Sequence, residues 1–373
     1  MASNPAKTSG VMGRVPRRFR NAIYVVYMTT KRAVAIIIAT RKLCIDNRRC
    51  QQRKSRQQGQ HLRLEEKPMI KRIAAGVAAA TALAALLMAG AAQAQQKPII
   101  AAVFANQTNQ AWIATAEGVR EEAAKRGYDV LLTDARDNIA KQLSDAEDAI
   151  TRGAKFILLI GVDQGAAQII RNANERKVPI LNIMRSYPGD VVSYVGVDNV
   201  RVGEAMIEWW AKQLNGRAAE TMVITGTPGA ASSVDREKGL DKELAKHPNI
   251  KIVARQAGFY DRAKSLPVAE NILQANAKAE AIIGFNDEIA MGALAAAKAQ
   301  NRKLVITGTD GNKDALQAIK NGELTMSIVF DLRQAGRLAV EVADNHLKGK
   351  PAEKRIDLPI NFVTKENVDK FIR

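Results

Sequence analysis

The chain has 373 residues, 47% of them hydrophobic and 25% charged, proportions of a globular protein with room for two or three compact domains, which excludes disorder and coiled coil as its main state. Its net charge of +18 would ordinarily point to a nucleic acid or an anionic membrane. The excess is confined to the front: residues 1–68 hold 16 Lys/Arg against 3 Asp/Glu, Lys71 and Arg72 follow, and residues 95–373 carry 38 basic against 35 acidic side chains. That leaves +3 on the body, too little for a basic nucleic-acid-binding face to be its dominant feature. Both cysteines, Cys44 and Cys50, also precede the body, so it holds no disulfide framework, cysteine-ligated metal or catalytic thiol.

In chain order, residues 1–68 come first, and Arg and Gln dominate 47–60. The apolar stretches 22–28 and 33–39 are split by Lys31 and Arg32, and neither is long enough to span a bilayer. This basic extension reads as lying outside the mature protein, upstream of a true start at Met69. The alternative is a DNA-binding head on a ligand-sensing core, but a helix-turn-helix needs two amphipathic helices around a short turn, and no such paired period is present. Residues 69–94 read as a secretory signal peptide: Lys71 and Arg72, an uncharged Ala/Leu-rich run over 73–92, then the small residues Ala92 and Ala94 around Gln93. Cleavage is expected between Ala94 and Gln95, releasing the chain into the periplasm. A permanent anchor is the competing reading, disfavoured by the Ala-rich composition and the polar stretch after the A-x-A site. No cysteine at the cleavage point offers itself for lipidation.

After Pro98 short apolar runs alternate with amphipathic segments. Residues 99–104, 130–132, 156–160 and 180–183 read as buried strands because their apolar residues are continuous. Residues 111–126, 139–152 and 166–176 read as helices, the first two closed by Gly127 and Gly153, where a left-handed cap favours glycine. The alternation then restarts: strands at 222–224, 250–254, 281–285 and 304–306, helices at 234–246, 266–275 and 288–300. This predicts an α/β chain of two similar Rossmann-like lobes with parallel sheets. Ligands of such sheets bind beyond the carboxyl ends of the strands, and polar residues gather there: 106–109, Arg185, Asn286 with Asp287, and Asp310 with Gly311.

The enzyme motifs GxGxxG, Walker A, GxSxG and HExxH do not occur, and 226–229 lacks the glycine spacing and Lys of a phosphate cradle. His247 and His346, the only histidines of the body, lie at a helix end and in an amphipathic helix, where a solvated role suits them. A binding protein without cofactor or metal is expected.

Several segments together carry a resemblance: N-x-x-W at 109–112, V-P-I at 178–180, V-x-V-D-N at 195–199, R-x-x-G-L at 236–240, F-N-D-E-x-A-x-G-A at 285–293 and G-T-D-G at 308–311. In this order the chain from Lys97 to its end resembles the ribose-binding type of periplasmic substrate-binding protein, a component of bacterial ABC sugar importers. The resemblance implies a type I periplasmic binding fold with three crossings between lobes, near 198–201, 330–333 and 353–357. The lobes would then comprise 95–199 plus 331–355 and 200–330 plus 356–373. It implies a monosaccharide or related small ligand held by Asn109, Arg185, Arg236, Asn286 and Asp310, with Trp112 and Tyr260 as aromatic positions and Trp112 stacked on a sugar face. Such residues suit the chemistry, since a sugar offers hydroxyls at its edge and C–H bonds on its faces. Asp310 before Gly311 could instead cap a helix, and Trp209 and Trp210 are expected to pack inside a helix.

Two departures from the ribose-binding pattern bear on the ligand. Met184 stands where an Asp precedes the Arg, and Phe330, followed by Asp331, stands where the family has a Gln. Phe330 is expected at the ligand, as an apolar partner of Met184; Asp331 would replace the lost hydroxyl partner if the register slipped by one, and Gln107 is a further lining candidate. A deoxy, methyl-bearing or otherwise substituted sugar, or a less hydroxylated polyol, follows as the expected ligand. The implied partners are an inner-membrane ABC permease and, in a signalling variant, a chemoreceptor; no nucleic acid is implied, and the chain is expected to be a monomer.

Overall fold

The computed structural model describes residues 97–372. The expectations for the basic extension, the export signal and its cleavage site fall on residues 1–96, outside the described part.

The two-lobe expectation is met by two six-stranded sheets. The first contains β1 (Ile99–Phe104), β2 (Asp129–Asp134), β3 (Phe156–Ile160), β4 (Ile180–Ile183) and β5 (Tyr194–Gly196), with α1 (Gln110–Arg126), α2 (Ile139–Thr151) and α3 (Ala166–Glu175) between them. The second contains β6 (Ala219–Thr225), β7 (Ile250–Ala257), β8 (Ala281–Gly284), β9 (Val305–Asp310) and β10 (Met326–Val329). Its helices are α4 (Asn199–Leu214), which leads into it, then α5 (Ala231–Leu244), α6 (Arg262–Ala275), α7 (Asp287–Ala299) and α8 (Lys313–Lys320). α9 (Leu332–Leu347) returns to the first lobe, followed by β11 (Arg355–Asp357) and β12 (Asn361–Val363).

The strand orders are the same in both: 2-1-3-4-5-11 and 7-6-8-9-10-12, parallel throughout except for the edge strand β12. The strands buried on both faces, such as β3 with every residue buried, are those with continuous apolar sequence. In each sheet the order reverses once, between β1 and β3 and between β6 and β8, and these switch points open crevices at the strands' carboxyl ends.

The chain crosses between lobes three times: from β5 into α4, from β10 into α9, and from β11 to β12. The third crossing corrects the expected lobe boundary. Ile356 and Asp357 pair with Val195 and Gly196 in the first sheet, so the crossing falls after Asp357 and not between 355 and 356. Element ends also shift. α6 begins at Arg262, four residues before its expected start, because the Asp261 side chain accepts from Lys264 N and caps it. Pro267 then lies inside the helix, where it has no N–H to donate. The short β5, β10, β11, β12 and α8 carry too few residues for their period to stand out.

In each lobe a helix packs on the first helix after a chain crossing, and each of these two helix contacts is made at a pair of glycines. A Cβ on Gly203 of α4 would lie 2.1 Å from Arg236 O, and one on Gly239 of α5 1.9 Å from Val200 O. In the first lobe Gly118 and Gly336 meet the carbonyls of Arg333 and Thr115 in the same way. Backbone touches backbone here, so no side chain can yield. Gly239→Ala is therefore expected to destabilise the protein by about 1–3 kcal/mol, although alanine in an unobstructed helix would stabilise by about 0.5–1 kcal/mol. Urea unfolding of the variant decides between the two signs.

Candidate ligand-binding site

The carboxyl-end loops of both sheets face one another around a small, tightly closed cavity lined by Asn109, Trp112, Met184, Arg185, Ser232, Arg236, Tyr260, Asn286 and Asp310. The first four come from the first lobe and the rest from the second. The lobes touch across it: Gln110 Nε2 donates to Asp314 Oδ1 at 3.1 Å.

Two asparagines hold equivalent places. Asn109 caps α1 by accepting from Ala111 N at 2.8 Å, and Asn286 caps α7 by accepting from Ile289 N at 3.0 Å. Capping consumes the side-chain oxygens and leaves the NH₂ groups as donors at the cavity; that of Asn286 reaches Asp310 Oδ2 at 3.4 Å.

Each lobe also buries one guanidinium. Arg185, 2% exposed, donates from one Nη to the carbonyls of Gly161 (2.6 Å) and Val162 (3.2 Å) at the end of β3. It lies 5.2 Å from the Trp112 ring centre and 5.4 Å from that of Tyr260, between aromatic rings of opposite lobes. One face of Trp112 therefore carries a cation, while the ring still lines the cavity. The Arg185 Nε and the Trp112 Nε1 are buried donors with no partner among the described residues. Arg236, 3% exposed, donates Nε to Asn199 Oδ1 at 2.9 Å and one Nη to Thr309 Oγ1 (2.9 Å) and Phe285 O.

Asp310 is the one carboxylate of the lining. It caps no helix: α8 starts after Asn312, which makes no side-chain cap bond, and the Asp310 carboxyl lies among the cavity residues. Burial pushes it up to about 6, against the pull of Arg236 and the Asn286 amide. Behind it, fully buried Asp287 accepts from Gly311 N, Asn312 N (both 2.8 Å) and Ser327 Oγ (2.7 Å), fixing the turn that follows Asp310. Burial and the neighbouring Asp310 raise Asp287 as well, and its three donors pull the other way. Backbone strain gathers at this cavity: Met184 (φ 58°), Tyr260 (56°) and Asp310 (117°) all lie at positive φ. Non-glycine residues persist there only when their surroundings hold them, at about 1–3 kcal/mol each. Gly226 leaves the space for the Tyr260 ring, which a Cβ would meet at 2.1 Å.

Seven of the eight residues expected at the ligand thus come together, and Met184 joins them. Three candidates do not. Phe330 is buried behind Asp310, its N–H directed to Asp310 O at 3.5 Å, and does not line the cavity. Asp331 is exposed and caps α9 by accepting from Gln334 N at 2.8 Å, so it cannot restore a hydroxyl contact. Gln107 donates to Asn106 O at 2.9 Å, outside the lining. Ser232 was missed, though it stands one helical turn before Arg236 and so shares its face; its Oγ lies 3.1 Å from Tyr260 Oη. Trp210 packs in the core with Nε1 donating to Thr221 Oγ1, as its mid-helix position suggested. Among the described residues no group of three or more His, Cys, Asp or Glu could hold a metal ion, and no helix is long and apolar enough to cross a membrane.

A model of the periplasmic binding protein domain matches residues 100–351. The chain belongs to the periplasmic binding protein family. Within it the chain is ribose-binding-like: it is 35% identical over 260 residues to the ribose import binding protein of Bacillus subtilis, covering 69% of this chain and 84% of that one. It is 29% identical to a D-apiose import binding protein of Paraburkholderia graminis, covering 78% and 95%. The crystal structure of a Caulobacter myo-inositol binding protein bound to myo-inositol superposes with a TM-score of 0.70 at 31% identity, covering 74% and 97%. Like its family, the chain is a substrate-binding component of sugar import and not an enzyme.

The elevated Asp310 has a stability consequence. A carboxyl whose folded value is raised from 3.8 to about 6 favours the folded state below pH 3.8 and loses that contribution as pH rises through 6. The gap corresponds to about 3 kcal/mol held against folding at neutral pH. Asp310→Asn is expected to be more stable than the parent at pH 7.5, with the difference shrinking towards pH 4. Urea unfolding at both pH values tests this, and a difference that does not change with pH contradicts it.

Proposed function

We propose that the cavity takes a monosaccharide, or a related polyol or deoxy sugar. The observation that carries this reading is the pairing of planar polar groups with aromatic rings from opposite lobes: Asn109, Arg185, Arg236, Asn286 and Asp310 offer forks for vicinal hydroxyls, and Trp112 and Tyr260 offer apolar faces. The polyhydroxylated ligands named for the relatives, ribose, D-apiose and myo-inositol, fit this chemistry. With Phe330 behind the cavity, Met184 alone supplies the apolar spot that would favour a methyl or missing hydroxyl, at about 0.8 kcal/mol per buried carbon. A ligand contacting both lobes stabilises the closed arrangement by its differential contacts, which is a population shift about the three crossings. The closed form then docks on an inner-membrane ABC permease. The chain reaches the periplasm through the signal in residues 69–94, cleaved before Gln95, and acts there as a monomer.

A thermal-shift panel on residues 95–373 tests the reading with D-ribose, D-apiose, myo-inositol, their deoxy and methyl derivatives, and amino acids as controls. A sugar at a hundred times its Kd stabilises by about 2.7 kcal/mol, an upward shift of several degrees for a chain of this size. Arg236→Ala is expected to weaken the best ligand by about one to two decades by calorimetry, the loss of a charge-assisted contact. Shifts with amino acids only, or none with any sugar, contradict the proposal.

A further inference from the structure

The V-x-V-D-N segment ends in a residue that is not among those lining the ligand cavity but touches both lobes. Asn199, 5% exposed, is the first residue of α4, where the chain has just crossed out of the first lobe. Asp198 caps the helix by accepting from Arg201 N, which leaves the Asn199 side chain without a local duty. Its Nδ2 donates to the carbonyl of Met184 at 3.0 Å, and its Oδ1 accepts from Arg236 Nε at 2.9 Å. Met184 belongs to the first lobe, at positive φ and directly before Arg185, with its N–H donating to Val195 O. Arg236 belongs to α5 of the second lobe, which packs on α4 at the glycine crossing. One amide therefore spans the gap between the strand end that presents Arg185 and the helix that presents Arg236.

We propose that Asn199 is the positioning residue that registers Arg236 against Met184 and Arg185, so that the two lobes present their guanidinium groups as one binding surface when they close. The proposal rests on the reading of the cavity as a sugar site. Its chemistry suits an amide: with a donor NH₂ and an acceptor oxygen on separate atoms, one side chain satisfies the Met184 carbonyl and the Arg236 N–H at once. Thr309 Oγ1 and Phe285 O hold one Nη of Arg236 from within the second lobe. The Asn199 bond is the one that refers Arg236 to the first lobe. The two bonds fix the spacing between the Met184 carbonyl and the Arg236 guanidinium across this crossing.

Two variants separate the halves of the bridge. Asn199→Ala removes both bonds. Asn199→Asp keeps an acceptor for Arg236 Nε and sets an oxygen against the Met184 carbonyl. With D-ribose as probe and tryptophan fluorescence followed by stopped flow, both variants are expected to release the sugar at least tenfold faster than the parent, with association rates within twofold, because encounter precedes closure. A merely structural role would lower thermal stability without this split between the two rates. Crystals of the Asn199→Ala protein are expected to show the Arg236 guanidinium turned from its present place, and those of Asn199→Asp to show it retained. Unchanged release in both variants overturns the proposal, as does an unmoved Arg236 in the alanine variant. If the parent itself binds no D-ribose, that result counts against the ribose-like reading of the ligand, and the Arg236 position in the alanine variant decides on Asn199 by itself.

Discussion

Two guanidinium groups, each almost wholly removed from water, must be kept charged around a cavity lined by a single carboxylate. Taking an ion out of water costs several kcal/mol unless its donors are matched, and one aspartate cannot match two arginines. The fold resolves this with the ends of its own parallel strands. At the carboxyl edge of a sheet the last carbonyls have no further strand residue to accept from, and Gly161, Val162 and Phe285 turn theirs onto Arg185 and Arg236. Aromatic faces complete the surroundings of Arg185, and the Asn199 amide and Thr309 hydroxyl those of Arg236. The arginines can therefore sit only where strands end, and that is what puts the site in the cleft.

Much of the rest follows from holding that arrangement. Asp310 is kept buried and raised, Met184, Tyr260 and Asp310 are kept in strained backbone, and Asp287 is a second fully buried carboxyl raised by burial and by Asp310. None of these choices favours folding. They are offset elsewhere, by sheets buried on both faces and by helix pairs brought to backbone contact through glycines. A site poor in intrinsic stability on a rigid frame is the arrangement expected where binding energy, and not the bare fold, is meant to bring two lobes together.

The fold was legible because its strong signals are long and periodic: continuous apolar strands such as Phe156–Ile160 and glycine-closed helices such as α1. The cavity was legible through residues at strand ends and helix starts, where Asn109, Arg185, Asn286 and Asp310 stand, and through the family resemblance for Arg236 and Tyr260. What was hidden depended on direction. Phe330 and Asp331 were assigned by position along the chain, yet they form the link between β10 and α9, where one packed into the core and the other capped α9. The third crossing was displaced because Arg355–Asp357 is too short and too polar to announce itself as a strand, its pairing being supplied by β5. Asn199 appeared only as part of a motif; its role needs the distances to two residues far from it in sequence, to Met184 and to Arg236.

The central claim is that the paired arginines and Asp310 face a sugar between the lobes. The most direct measurement is a crystal structure of residues 95–373 with the tightest-binding sugar of a screened set. The account predicts the sugar ring in the cavity beside Trp112 and Tyr260, with hydroxyls bonded to Arg185 and Arg236 from opposite lobes and to the Asp310 carboxylate. A sugar bound elsewhere, or one in the cavity whose hydroxyls leave both arginines untouched, would contradict it.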